Sequence, residues 1–346
     1  MKSILKIFLA LIVAIVMSLV VQSVTGLGFG SVLLGILFFS IILSIVPKEK
    51  NALQSVFLLE AFIEELKEAI VKAVDNSFLR NAQNYSNLVE NNVIKWNKIG
   101  ARPDVVIGSV TFPLTPTNRV DDKDSIDLYP FRTLPTSIPL EELHALPYDK
   151  KSTVFKQHKE AQIEKYLKYA LHSFAPDVNT TDTPVVETTG ADDGTGRKRL
   201  TVKDLIDFRL KLQLLGISEC DLVLSPYHVA DLQLADQAFA MQYHNITTGQ
   251  IVNMYGFNIV QGIGYCPYYD NTTKNKNALE AVINTNDRDA SIVIIKKTAF
   301  YAQGSVEVLY AEPEPRYQQH EISTICYNTS GLFDKKGSAA IISGRV

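Results

Sequence analysis

Three residues near the middle of the chain have side chains that could perform hydrolysis. Ser225, His228 and Asp231 lie close together in the sequence and are the residue types of a serine hydrolase triad. Ser225, however, lacks the Gly-x-Ser-x-Gly context of a nucleophile elbow. A triad is assembled by the fold and not by adjacency in sequence. The Ser-Pro step instead predicts that a strand ends here and that Pro226 opens a helix. We therefore expect no catalysis at Ser225.

Two other segments match ligand-binding motifs only in part. The acidic run Asp121-Asp122-Lys123-Asp124 resembles a calcium loop, but it lacks the glycine at the sixth position and the distal bidentate glutamate. The run from Gly190 to Lys198 is rich in glycine. Its spacing does not match a phosphate-binding loop, and its two aspartates would repel a phosphate. We expect solvated loops at both places and no cofactor.

The histidines do not form a metal-binding motif. His144, His158 and His172 recur at a regular spacing. On one helix, His158 and His172 would share a face but lie four turns apart, which is much too far for one metal ion. The sequence contains no His-Glu-x-x-His motif. We predict no metal site.

Composition narrows the class of protein only slightly. The chain has 346 residues, enough for one large or two medium domains, and a net charge of −3. No overall positive field would attract nucleic acid. The three cysteines, Cys220, Cys266 and Cys326, lie far apart, and an odd, sparse set favours a reducing compartment over a disulfide framework.

The first fifty residues differ from the rest of the chain. No charged residue occurs from Ile7 to Pro47, and two apolar segments, Ile7–Val21 and Leu27–Val46, are separated by a short polar break. Lysines flank both ends of the run, so two spanning helices would leave them together on the cytoplasmic side. The alternative is a cleaved signal peptide. Because the second apolar segment follows the first at once, we favour a transmembrane hairpin over residues 1–50.

Hydrophobic periodicity predicts three main helices in the remainder. The strongest runs from Tyr148 to Phe174, and a second, Leu53–Val74, carries an apolar stripe at helical spacing. Thr201 is predicted to cap a third helix, Val202–Leu215, with Asp204 completing an approximate capping box.

Strands dominate elsewhere, so the fold class is α+β. Prolines and glycines punctuate the chain from Val93 to Pro139 and favour an extended, projecting two-stranded loop over a central sheet. The acidic run Asp121–Asp124 would lie at the turn of this loop. Short β-rich runs follow the third helix: Cys220–Ser225, Ile251–Gly262, Ser291–Lys296, Ser305–Tyr310, Glu321–Tyr327 and Ala339–Ile342.

Four stretches, taken in order, resemble the major capsid proteins of tailed phages, which share the Hong Kong 97-like capsid fold. The resemblance covers roughly Asn81 to Val346 and is greatest to proteins of Bacteroidetes phages and prophages. The longest stretch begins TFPLTPTNRVDDKDSIDLYPFRTLP at Thr111 and continues through the long helix to Pro176. The others are DLVLSPYHVADLQLAD at Asp221, TGQIVNMYGFNIV at Thr248 and ASIVIIKKTAFYAQGSVEVLYAEPEP at Ala290.

The resemblance implies a division of the chain into the parts of a capsid subunit. Family members do not usually begin with a membrane hairpin, so residues 1–50 depart from the pattern. The expected parts are residues 1–50, the apolar hairpin; 51–110, an amphipathic helix and N-terminal arm; 111–140, the extended loop; 141–199, the spine helix and loop of the peripheral domain; 200–300, the axial domain; and 301–346, strands that return to the peripheral domain.

The resemblance also implies a structural function without enzymatic activity. The expected product is an icosahedral shell of hexamers and pentamers that encloses DNA without sequence specificity, assembled in the bacterial cytoplasm with a scaffold, a portal and a maturation protease. We expect four residues of the loop to act between subunits: Arg119, Asp121, Asp122 and Asp124. Two alternatives remain open: an encapsulin-like nanocompartment shell, and a membrane-anchored cytoplasmic protein of unknown activity.

Overall fold

The structure, a computed structural model, describes residues 50–98, 119–141, 150–234 and 253–346, together with positions 100, 105, 107, 108, 244, 245, 248, 250 and 251. The chain divides into two compact units, Met1–Ala61 and Phe62–Val346. Both segments of the expected transmembrane hairpin lie outside the described residues. Within the described ranges, every helix is too short or too polar to cross a bilayer.

Four helices form the α part of the described chain, and three of them match the sequence-based expectation closely. Thr201 caps α3 with a complete capping box, in which its hydroxyl accepts from the backbone N–H of Asp204 and the Asp204 carboxylate accepts in return. Gly216, with φ of 82°, follows its end. The helices are α1 (Lys50–Asp75), α2 (Lys150–Phe174), α3 (Val202–Leu214) and α4 (Pro226–Gln233).

Sixteen strands in the described ranges form four sheets. Two of the sheets are large and organise the unit. The strands are β1 (Gln83–Asn84), β2 (Val89–Glu90), β3 (Val93–Lys98), β4 (Asp122–Asp127), β5 (Tyr129–Arg132), β6 (Thr136–Pro139), β7 (Val185–Glu187), β8 (Asp221–Val223), β9 (His244–Asn245), β10 (Gln250–Ile251), β11 (Asn258–Val260), β12 (Tyr268–Asp270), β13 (Asp287–Ile294), β14 (Ala299–Ala311), β15 (Gln319–Leu332) and β16 (Ala340–Ile342).

The first large sheet, here called the hairpin sheet, is built on the long antiparallel pair of β14 and β15. β1 joins β14 on one side, while β5 and β6 pair with successive parts of β15 on the other. Helix α2 packs along β15. Its buried side chains include Tyr166, Ala170 and Leu171, as the apolar pattern predicts, but also the polar residues His158 and Gln162.

The second large sheet, here called the six-stranded sheet, has the order β11-β8-β13-β16-β7, with β12 pairing with the start of β13. Five of its six strands are three residues long, and β8, β16 and the last six residues of β13 are buried. Helices α3 and α4 share one hydrophobic core with it. That core joins Leu205, Phe208 and Leu212 of α3 and Leu232 of α4 to side chains of β8, β13 and β16.

The segment after α1 was expected to be an extended arm, and it is anchored to the body of the unit. Helix α1 buries Phe62, Leu66 and Ile70, which belong to the expected apolar stripe. A short 3-10 turn, Phe78–Asn81, follows, and Phe78 packs edge-on against Phe174 of α2. The Asn81 amide donates to the buried Asp221 carboxylate at 2.6 Å. The segment therefore connects α2 to the six-stranded sheet.

The division into peripheral and axial domains stays a prediction, and the structure shows how the strands of residues 301–346 divide between the two large sheets. β14 and β15 form the hairpin sheet, but β16 lies between β13 and β7 in the six-stranded sheet. β7 belongs to residues 141–199, which were expected to contain only the long helix and a loop. Both β7 and β16 are only three residues long, and the partner of such a strand depends on contacts distant in sequence.

A buried ionic cluster holds the chain terminus against the six-stranded sheet. The Arg197 guanidinium donates two hydrogen bonds of 2.7 Å to Asp231 and one of 2.8 Å to Asp193. Arg197 also contacts the Ser343 hydroxyl at 3.3 Å, directly after β16. The Asp231 carboxylate accepts a further bond from the backbone N–H of Leu200. Arg197 therefore joins the loop before α3 to helix α4 and to the residues after β16.

We expect the substitution Asp231→Asn to reduce the free energy of unfolding by about 1–3 kcal/mol, because it removes the carboxylate that accepts two of the three charge-assisted bonds of Arg197 and leaves Asp193 as its charge partner. Chemical denaturation of the full chain measures the change. Asp207→Asn is the matched control, since Asp207 is exposed and should shift stability by less than about 0.5 kcal/mol. Equal effects of the two substitutions would contradict the structural role of the cluster.

Candidate functional site

The candidate site is the loop that connects β3 to β4, whose neck is a regular two-stranded ladder. Val93–Lys98 pairs antiparallel with Asp122–Asp127 in continuous register, from Val93 opposite Asp127 to Lys98 opposite Asp122. Residues 99–121 form the connection between these strands. Three apolar side chains at described positions in it, Val105, Ile107 and Val120, are 85, 95 and 78% exposed. The loop thus presents apolar surface that the described chain does not cover.

Two of the four candidate residues close the neck of this loop within one chain. The Arg119 guanidinium donates to the Asp121 carboxylate at 2.6 Å, and the backbone N–H of Gly100 donates to the same carboxylate at 2.9 Å. The Arg119 hydrogen bond, followed by that from Gly100, holds the pKa of Asp121 below its usual value. A Cβ at Gly100 would lie 2.3 Å from the Val120 carbonyl oxygen, so the close approach requires glycine.

The other two candidates lie on β4, beyond this contact. Asp122 pairs through its backbone with Lys98. Asp124 is exposed, and its carboxylate accepts from the backbone N–H of Ser125 at 2.9 Å. The structure therefore brings Arg119 and Asp121 together and leaves the Asp124 carboxylate facing solvent. An intersubunit role for the four residues stays a prediction, and Arg119 and Asp121 also have a role within the subunit.

The base of the loop is fixed by an apolar cluster that the sequence did not reveal. Ile94 and Leu128, at the base of the β3–β4 ladder, are buried against Phe300 and Ala302 of β14. Trp96 packs edge-on against Phe333, with ring centroids 4.9 Å apart. The apolar cluster at the base and the Asp121 contact at the neck together hold the two ends of the connection.

Buried hydrogen bonds tie α2 to the strand segment that follows the loop. The two ring nitrogens of His158 contact the hydroxyls of Thr133 and Thr136 at 2.7 and 3.0 Å. The Gln162 amide donates to the Phe131 and Thr324 carbonyl oxygens. Burial lowers the pKa of His158, so the neutral ring is favoured. β5 and β6, which lie within the range 111–140 expected to form the extended loop, are consequently held against α2.

The hydrolase-like residues have structural roles. Ser225 caps α4 by accepting from the backbone N–H of His228. The His228 ring contacts the hydroxyls of Ser291 and Ser343 at 2.6 and 2.9 Å, and burial lowers its pKa. Asp231 is engaged by Arg197. None of the three triad-type side chains is more than 4% exposed, so a substrate has no access to them.

The other motifs also form internal contacts. Asp192 and Asp193 accept hydrogen bonds from backbone groups of their own loop, at Gly194 and Thr195. His172 contacts the Asn277 carbonyl oxygen, while His144 lies outside the described residues. Among the described residues, no group of three or more His, Cys, Asp or Glu side chains could hold a metal ion. The three cysteines are free and buried.

Comparison with known proteins identifies the fold. No protein-family model matches the chain, and no curated protein matches it. Three solved structures that resemble it are the bacteriophage PhiM1 mature capsid (15% identity, 77% of this chain and 87% of that chain, TM-score 0.53), the capsid of the cyanophage P-SCSP1u (13%, 77% and 87%, 0.53) and the capsid of the native GTA particle (10%, 78% and 90%, 0.54).

These similarities cover most of each capsid chain, so the chain has the tailed-phage capsid fold. The α+β fold class and the capsid architecture implied by the sequence resemblance are therefore confirmed at the level of the fold. The alignments span more than three quarters of the chain. At such low sequence identities, the match shows the fold alone. The roles of individual residues are inferred from their own contacts.

The neck contact can be tested with Asp121→Asn. The neutral side chain loses the charge-assisted bond to Arg119, so we expect faster hydrogen exchange at the Gly100 amide at pH 7 and an unchanged melting temperature of the whole subunit. Asp124→Asn is the control and should leave Gly100 exchange unchanged. Because the pKa of Asp121 is lowered in the fold, its contact is fully present above about pH 4 and is lost as pH falls through that lowered value.

The rates of hydrogen exchange at the Gly100 amide in wild type and in Asp121→Asn should therefore become equal at low pH. Identical Gly100 exchange in the two proteins at pH 7 would show that the carboxylate does not hold the neck.

Proposed function

We propose that this protein is a major capsid protein that self-assembles into an icosahedral phage or prophage-derived shell. The observation that supports it best is the combination of the capsid fold with a loop on a fixed base that exposes apolar surface. Val105, Ile107 and Val120 are each more than three quarters exposed. Exposed apolar side chains of this kind mark surfaces that other chains cover, and neighbouring subunits of a shell would cover them.

The proposal includes specific partners. Hexamers and pentamers of the chain would form the shell, and a scaffold, a portal and a maturation protease would take part in its assembly. The DNA would be enclosed without sequence specificity and held by packaging instead of by affinity, because a chain with a net charge of −3 has no overall positive field to attract phosphate. The Bacteroidetes-phage type belongs to this proposal and rests on the sequence resemblance alone.

We further propose that the loop acts between subunits through Asp122 and Asp124, while Arg119 and Asp121 set its direction. Charged groups at the edge of an interface contribute little energy each, but they determine register and suppress incorrect contacts. A structural function without catalysis agrees with the internal engagement of Ser225, His228 and Asp231. Genes for a portal and a terminase next to this one would distinguish a phage shell from an encapsulin-like compartment.

The full chain, purified and concentrated, should form closed shells or capsomer-like oligomers visible by negative-stain microscopy and sedimentation. The double substitution Asp122→Lys with Asp124→Lys should block or misdirect this assembly at low salt without changing the circular dichroism of the subunit. The defect should diminish as salt rises, because the screening length is about 8 Å at physiological ionic strength and shorter above it.

The matched control is Glu64→Lys with Glu68→Lys, which makes the same charge change on exposed positions of α1. It should assemble normally. A wild-type protein that stays monomeric at high concentration would refute the shell proposal. Normal assembly of the loop variant at low salt would refute only the intersubunit role of Asp122 and Asp124.

The apolar N-terminus adds a membrane-associated step to the proposal. The second of its two charge-free segments is long enough to span a bilayer, the first is shorter and would start at Ile4 or lie tilted, and the flanking lysines have the charge pattern of a helical hairpin. Full-length protein expressed in bacteria should then remain partly in carbonate-washed membranes. Complete extraction of uncleaved protein by carbonate would refute the hairpin.

A further inference from the structure

Helix α3 carries an exposed aliphatic row that nothing in the described chain covers. Ile206, Leu210 and Leu214 are spaced four residues apart and therefore form one ridge along the helix. Their side chains are 46, 54 and 80% exposed. The opposite face already packs on the six-stranded sheet through Leu205, Phe208 and Leu212, so the exposed row is additional to the amphipathic pattern of a surface helix.

A second row beside this ridge carries unpaired charges. Lys203, Asp207 and Lys211 are also spaced four apart, and all three are exposed. The spacing would allow ion pairs along the helix, and helices α1 and α2 use it: Glu68 pairs with Lys72 at 2.8 Å and Glu164 with Lys168 at 2.6 Å.

None of the three α3 charges makes an ion pair or hydrogen bond within the described residues. The face therefore presents an aliphatic ridge and an adjacent plus-minus-plus row, both available to a complementary surface.

The size of the ridge limits the kind of partner. Three partly exposed aliphatic side chains offer only a few hundred Å² of apolar area, as does the largest patch on many monomers. A stable one-to-one complex buries roughly 1,200–2,000 Å² in total. A contact of this size is too small to hold an isolated pair, but it is effective when many identical subunits repeat it and several such contacts act together.

We propose that the Ile206–Leu210–Leu214 face of α3 is a subunit contact that packs against a second copy of this chain. The ridge excludes water from the contact, and the row of Lys203, Asp207 and Lys211 selects its register by charge. This inference rests on the proposed function, since a shell supplies the repeated copies. It adds a second contact surface, on a different sheet from the β3–β4 loop.

The test is chemical labelling of the full chain carrying Leu210→Cys. Leu210 is half exposed, so the substitution should not disturb the core. The native cysteines are 3, 6 and 0% exposed, and labelling of wild type measures their background. A maleimide reagent should modify the introduced cysteine rapidly in dissociated subunits. In assembled particles the modification should be at least about tenfold slower, because a packed interface excludes solvent. Rates within twofold of each other would overturn the proposal.

A second pair of variants tests the contact through assembly. Leu210→Glu with Leu214→Glu should preserve the circular dichroism of the subunit and raise the concentration needed for assembly by about tenfold or more, since charges in the interface core oppose association. The matched control is Val71→Glu. Val71 is 50% exposed on α1. The residues four positions before and after it are Lys67 and Asp75, so Val71 is not part of an aliphatic row. The control should assemble like wild type.

The outcomes separate this inference from the shell proposal. If shells form and the introduced cysteine is still labelled at the rate of dissociated subunits, the contact is overturned and the shell proposal remains intact. If only smaller oligomers form and they slow the labelling of the introduced cysteine, the contact is supported and the shell proposal is refuted. A monomer at every concentration, with an unchanged labelling rate, refutes both.

Discussion

The insertion of the last strand, β16, is the constraint on which the six-stranded sheet depends. Ala340, Ile341 and Ile342 are fully buried, with β13 on one side and β7 on the other. β7 has no other partner in the sheet, so without β16 its hydrogen-bonding groups would lack a ladder. The core shared with α3 and α4 includes Ile341. The sheet therefore cannot form in full until Ala340–Ile342 is in place, which couples this half of the unit to a segment more than a hundred residues beyond β7 and β8.

The polar residues that surround β16 illustrate how a buried cluster can resemble an active site. His228 bridges β13 and the C-terminal segment through Ser291 and Ser343, while Arg197 and Asp231 join the same segment to α4. A buried charge is tolerated when it is paired and its remaining hydrogen-bonding groups are satisfied. The cluster meets this condition, because Asp231 accepts from both Arg197 and Leu200. Its residues specify where the terminus docks, and their burial leaves no room for a substrate.

Local physics accounts for what could be predicted from the sequence. The apolar stripe of α1, the limits of α2, the capping box at Thr201 and the start of α4 at Pro226 all depend on residues within one or two turns. The missed features depend on distant partners. His158 and Gln162 are buried because Thr133 and Thr324 satisfy them, and β7 and β16 are too short to reveal their sheet. Likewise, Asp121 accepts a hydrogen bond from Gly100, which is far from it in sequence. The sequence therefore predicted the four candidate loop residues as one group, and it did not show that Asp121 has a role within the subunit.

The difference between the contact that Arg119 and Asp121 make within the subunit and the intersubunit role proposed for Asp122 and Asp124 matters for assembly. A loop can guide a neighbouring subunit only if its own ends are held in place. A flexible excursion would lose conformational entropy each time it is ordered against a partner, and this loss subtracts from a weak contact. Here Ile94 and Leu128 fix the base of the loop, and Asp121 joins Arg119 to Gly100 at its neck. The cost of ordering the two ends of the loop is thus met when the subunit folds. Small contacts, such as those proposed for Asp124 and for the α3 ridge, can then select register among identical copies although none of them is strong alone.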